Sequence, residues 1–124
     1  MQIVEYVDME PDQAHFYENI KQGIKDQVDR VKLNTTSLLA LLTRLRQATS
    51  SPSILTTENI SCAKIDRAVD LTEQIIANNE KVVIFTSFKE VTGLLAERLK
   101  QYNPLVCTGD SSEEFINDSK DKFQ

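Results

Sequence analysis

Thr86 and Ser87 follow the four apolar residues Val82-Val83-Ile84-Phe85 directly, and Lys89 comes two positions later. A second apolar run, Leu105-Val106-Cys107, ends in the same way in Thr108-Gly109-Asp110-Ser111. Parallel α/β sheets collect their ligands at the carboxyl ends of strands, and helix N-termini offer free N–H groups and a favourable dipole to anions. If the two runs are neighbouring strands, Thr86, Ser87, Thr108 and Gly109 form a shelf for the phosphates of a nucleic-acid backbone. Lys89 then stands beside it as a charge partner. The plainer reading is that these hydroxyls only cap helices and that Lys89 is a solvated lysine at a helix start.

Other chemistries have less to stand on. Gly23, Gly93 and Gly109 are far apart, so neither a glycine-rich nucleotide fingerprint nor a phosphate loop can be written. His15, Cys62 and Cys107 cannot make a four-ligand zinc site of ordinary spacing, and the two cysteines read as small packing groups with reduced thiols. His15 reads as a surface residue. The N-terminus has no basic head followed by an apolar run, and no apolar stretch approaches the roughly 20 residues that cross a bilayer. The cytosol is therefore the expected compartment. The formal charge is −5, with six basic and seven acidic residues up to position 50 and eight and twelve after it. Lys and Arg supply most non-specific affinity for DNA, so a chain of this sign is expected to bind DNA weakly alone.

The elements that must position these residues follow from periodicity. Ile3–Met9 alternates as a short strand. Pro11 suits a first helical turn and opens a helix with the stripe Tyr17, Ile20, Ile24, Val28 and Val31. Asn34-Thr35-Thr36-Ser37 caps a second helix, with Leu38, Leu41, Leu42 and Leu45 on one face as core, ending near Pro52. Ser61 is read as the cap of a third helix carrying Ile65, Val69, Thr72 and Ile76, closed by Asn78-Asn79. Val82–Phe85 then reads as a buried parallel strand, Phe88–Gln101 as a helix, Leu105–Cys107 as a second strand, and Phe115, Ile116, Ser119 and Phe123 as the stripe of a last helix. The expected fold class is α/β: a βαβα unit preceded by a short strand and two helices. Two strands are few for a doubly wound sheet, so the chain reads as a piece of a longer protein. The competing account brings Ile3–Met9 into the sheet to give a self-sufficient small α/β fold. A receiver-like or flavodoxin-like domain is disfavoured by the shortage of strands and of paired acidic residues at strand ends.

Five blocks in order carry a resemblance: Val7-Asp8-Met9-Glu10-Pro11-Asp12-Gln13 with Tyr17, Leu45-Arg46-Gln47-Ala48-Thr49-Ser50-Ser51-Pro52, Ser61-Cys62-Ala63-Lys64, Lys81–Phe88, and Thr108-Gly109-Asp110. Together they resemble the second-lobe region of Swi/Snf-type ATPases, DNA-translocating motors of helicase superfamily two. The resemblance implies an interlobe strand and protrusion-type helices over residues 1–60, and the first half of a RecA-like helicase lobe over 61–124. It implies DNA-backbone contacts at Thr86, Ser87, Lys89, Thr108 and Gly109, and ATP and magnesium bound elsewhere in the parent protein, with no catalytic residue, metal ligand or cofactor contact in this chain. DNA and the remainder of the motor are the implied partners, with self-association through exposed apolar faces as a further expectation. The sequence departs from the family where Thr49, Ser51 and Ser87 stand, positions often held by Cys, His and Gln. The alternative from another class is a small non-enzymatic α/β protein-interaction module.

Overall fold

The computed structural model describes residues 1–30 and 34–124. Among them are the α-helices α1 (Pro11–Arg30), α2 (Thr35–Ser50), α3 (Ala63–Ala77), α4 (Lys89–Arg98) and α5 (Glu113–Phe123), with single 3-10 turns at Pro52–Ile54 and Lys100–Tyr102. The chain divides into two compact units, residues 1–81 and 82–124.

In the first unit α1 begins at Pro11, whose missing N–H costs nothing in a first turn, and Asp12 lies at the positive end of the helix dipole. Tyr17, Ile20 and Ile24 are half-buried, Val28 is exposed, and the expected stripe residue Val31 lies outside the described residues. Asn34 takes extended backbone angles and its side-chain oxygen accepts from the Ser37 N–H at 2.8 Å, so the expected cap of α2 forms. α2 packs against α1, and its C-terminal half meets the Pro52–Ile54 turn and α3. It stops at Ser51, which is extended (φ −166°, ψ 111°), as the proline that follows requires. The leucine stripe is less of a core than its spacing implies: Leu41 and Leu45 are half-buried, but Leu38 and Leu42 face solvent.

α3 buries Ile65, Val69 and Thr72. It closes on Asn79 in the left-handed region (φ 62°), with Asn79 N–H donating to Ile76 O and Glu80 N–H to Ile75 O. That pair of bonds is the Schellman arrangement, and asparagine tolerates its positive φ better than most residues. The start of α3 corrects one expectation. Cys62, not Ser61, is the residue before the helix, and it makes no side-chain capping bond. Ser61 instead turns to Asp12.

In the second unit Val91 and Leu95 of α4 and Leu99 just after it recur at steps of four and are buried. Asn103 (φ 52°) ends the turn after it, and Ser112 caps α5 by accepting from the Phe115 N–H at 3.1 Å.

The α/β fold class is overturned. No described residue lies in a strand. Ile3–Met9, Val82–Phe85 and Leu105–Cys107, the three expected strands, are irregular segments, so there is no RecA-like βαβα lobe and no small α/β sheet in its place. The burial that a covered parallel strand demands is missing too: Val83 is 60% exposed, Phe85 91% and Leu105 45%. A strand exists only through a paired neighbour, and a parallel ladder is the weaker kind per residue. Runs of four and three residues offer few ladder bonds, a two-stranded sheet alone is marginal, and two helices of ten and eleven residues are little to cover both of its faces. β-Branched composition at Val82-Val83-Ile84 therefore does not suffice to make a strand.

Candidate functional site

Lys89, the first residue of α4, and Asp110, in the turn before α5, form an ion pair that joins the two halves of the expected phosphate shelf. Both ends are largely in water. The contact holds the Asp110 carboxyl below its ordinary range and pushes the Lys89 ammonium above its own, in each case first through the hydrogen bond between them and then through the opposite charge.

The hydroxyls around this pair serve the backbone. Thr86 Oγ1 donates to the Phe88 carbonyl at 3.1 Å and sits 2.6 Å from Thr92 Oγ1, which fixes the entry to α4. Thr108 N–H donates to Ser111 Oγ at 2.9 Å, Ser111 N–H returns to the Thr108 carbonyl, and Asp110 N–H reaches Thr108 Oγ1 at 3.3 Å. Thr86 and Thr108 are half-buried, whereas Ser87 and Gly109 are exposed. Gly109 needs no special backbone: its φ is not positive, and a Cβ built there meets nothing within 4 Å. The structure thus brings Lys89 to the 108–111 turn, while Thr86 and Thr108 bond locally to the segment before α4 and to the turn before α5, and neither caps a helix. The strand ends that were to aim them are absent.

A better-built polar cluster lies in the first unit. Gln13 is completely buried. Its Nε2 donates to the carbonyls of Ala48 (3.1 Å) and Thr49 (3.4 Å) at the end of α2, and its Oε1 accepts from the Ala63 N–H (3.0 Å) at the start of α3. One amide therefore satisfies orphan backbone groups of two helix ends at once. Next to it, Asp12 Oδ2 accepts from the Ser61 N–H (2.7 Å) and Oγ (2.9 Å), and Oδ1 from the Gln13 N–H (2.9 Å). These donors, the Ser61 N–H foremost, lower the Asp12 carboxyl below its usual value against the opposing effect of desolvation. Cys62 Sγ donates to the Ser50 carbonyl at 2.9 Å, and burial raises its thiol. Glu5 pairs with Arg67 of α3 and tethers the N-terminal segment. No buried side-chain nitrogen or oxygen among the described residues lacks a partner.

Sequence reasoning placed Asp12 in the first turn and left Gln13 as one letter of a block. A signal was present: Gln13, Tyr17, Ile20 and Ile24 fall at steps of four, three and four, so Gln13 occupies the first position of the buried stripe. A polar residue on that stripe has to find partners inside the fold.

Among the described residues no three His, Cys, Asp or Glu side chains converge as a metal site, and no helix is long and apolar enough to cross a membrane. Comparison with protein-family models, with curated proteins and with solved structures finds no match to this chain.

Proposed function

We propose that this chain is part of an ATP-driven DNA-translocating protein of the Swi/Snf type, in which it links other portions of the motor and grips the DNA backbone weakly. The reading rests on the ordered sequence blocks, and one observation favours it above all. Three of those blocks, Val7–Gln13, Leu45–Pro52 and Ser61–Lys64, meet through the side chains of Asp12 and Gln13. A linking element needs a firm joint between segments distant in sequence, and the Gln13 bonds span 35, 36 and 50 residues. In this reading ATP and magnesium are held by other portions of the motor, the chain alone hydrolyses no ATP, and the protein works in the cytosol.

The grip uses Thr86, Ser87, Lys89, Thr108 and Gly109 without a sheet beneath them. Asp110 already neutralises Lys89, so a phosphate has to displace a carboxylate. An exposed pair of this kind is held loosely and screened by salt, and the displacement is feasible but limits affinity. Fluorescence anisotropy with duplex DNA at two salt concentrations tests this. Asp110→Asn frees Lys89 and is expected to tighten binding and to steepen the salt dependence by about one phosphate contact, whereas Lys89→Ala weakens both. If neither variant changes affinity or slope, the DNA grip is lost from the reading.

The second reading is a non-enzymatic interaction module, helical rather than α/β. It is favoured by Leu38, Leu39 and Leu42, which are 41%, 58% and 46% exposed on α2. Absence of any DNA binding in the same titrations would put this reading first.

A further inference from the structure

We propose that the open trough between α1 and α2 is a docking surface for an acidic amphipathic helix of another protein. This goes beyond the motor reading and does not depend on it.

The trough measures about 370 Å³, and its lining is mostly apolar: Phe16, Ile20 and Ile24 from α1, Leu41 from α2, and Leu55 from the segment after it, with Gln27 as a neutral polar member. Gly23 lies in the middle of the α1 wall, and a Cβ built there meets nothing within 4 Å. The missing side chain leaves a dent where a second helix can come close, the role small residues play at helix contacts. The α1 lining residues Phe16, Ile20, Gly23, Ile24 and Gln27 recur at steps of three and four, and an apolar surface between two helices suits a helix whose anchors recur at i, i+3 or i+4, and i+7.

Charge selects among such helices. Arg44 is the single charged side chain on the trough, and it stands on its α2 wall. α2, which carries Arg44, has no carboxylate anywhere between Thr35 and Ser50. A helix with Asp or Glu beside its apolar stripe gains an ion pair with Arg44, whereas a basic helix meets repulsion. The same argument disfavours a second copy presenting its own α2, since two arginine-bearing helices would face each other. DNA offers no apolar ridge to fill the floor.

The test uses the full chain and two synthetic helical peptides of about five turns, identical in their leucine stripe and differing only in Glu or Lys at the flanking positions. Anisotropy titrations are expected to show the Glu peptide binding about tenfold more tightly than the Lys peptide at low salt. Arg44→Glu reverses that preference. Gly23→Met fills the dent and abolishes binding of both peptides, while Gly23→Ala, which adds only a Cβ in open space, retains binding and raises thermal stability. Melting curves for the two Gly23 variants separate blocked docking from lost folding. Equal binding of the two peptides, or peptide binding untouched by both Arg44→Glu and Gly23→Met, overturns the proposal. A dimer of the chain in sedimentation equilibrium that disappears in Gly23→Met assigns the trough to a second copy and overturns it as well.

Discussion

The two units use similar residues in different ways. In the first, Asp12 and Gln13 accept hydrogen bonds across 49 and 50 residues, from Ser61 just before α3 and from Ala63 at its start. In the second, the bonds around Thr86 and Thr108 close within six residues, and the exposed Lys89–Asp110 pair ties positions 21 residues apart. Both units contain runs of Val, Ile, Leu and Phe. What differs is whether a buried polar side chain fixes how the segments carrying them meet. Hydrophobic burial is non-directional, whereas a hydrogen bond to a particular carbonyl selects one arrangement. The joint in the first unit is specified by Gln13, and among the described residues no corresponding side chain bonds Val82–Phe85 or Leu105–Cys107 to a neighbour.

The largest effect that breaks this contrast is expected from Gln13→Ala. Truncation leaves the Ala63 N–H and the Ala48 carbonyl without their partner in a dry place, which costs about 2–4 kcal/mol. Urea denaturation of the variant measures it. A loss below about 1 kcal/mol would mean that water enters and replaces the amide, and the joint would not then depend on Gln13.

In the second unit the buried apolar side chains are Val91 and Leu95 of α4 and Leu99 just after it. Leu95→Ala removes a side chain that is 6% exposed, and a loss of about 2–3 kcal/mol is expected. Phe85→Ser, at a position 91% exposed, is expected to change stability by less than about 0.5 kcal/mol. Had Val82–Phe85 been a covered strand, Phe85 would rank beside Leu95. The pair of variants therefore tests the correction of the fold class directly.

That correction also shows what was readable from residues alone. The helical segments follow from stripes at steps of three and four, because a helix satisfies its backbone within itself and its pattern is local. The caps at Asn34 and the closure at Asn78-Asn79 are equally local. Strands are not, since Val82-Val83-Ile84-Phe85 carries no mark of whether another segment will supply the other half of its ladder. The candidate site fared in the same manner. Thr86 and Thr108 make short local bonds beside the starts of α4 and of a turn without capping a helix, whereas the Lys89–Asp110 pair could not be foreseen without knowing that the two turns meet. Gln13 was readable as a polar member of an apolar stripe, but its partners at Ala48 and Ala63 lie in other elements.

The smallest expected effect separates the units by pH. Asp12 is lowered by the donors at Ser61 and Gln13, so the folded state holds its proton less tightly than the unfolded chain does. The stabilisation is therefore complete above the ordinary carboxyl value of 3.8 and is lost as the pH falls through the lower folded value. Asp110 follows the same sign through Lys89. The two carboxylates differ in what they hold. Asp12 accepts from fixed backbone N–H groups of Ser61 and Gln13, which need no ordering of a long side chain, whereas Asp110 relies on the flexible Lys89 ammonium. Asp12→Asn is accordingly expected to flatten the fall of melting temperature below about pH 4 more than Asp110→Asn does. Added salt should reduce the Asp110 contribution more than that of Asp12, because screening acts on exposed charge pairs more than on short bonds to backbone N–H groups. Melting curves between pH 5 and pH 3 at low and high salt make the comparison. Equal flattening by both variants would show that the joint at Asp12 is no firmer than the surface pair at Asp110.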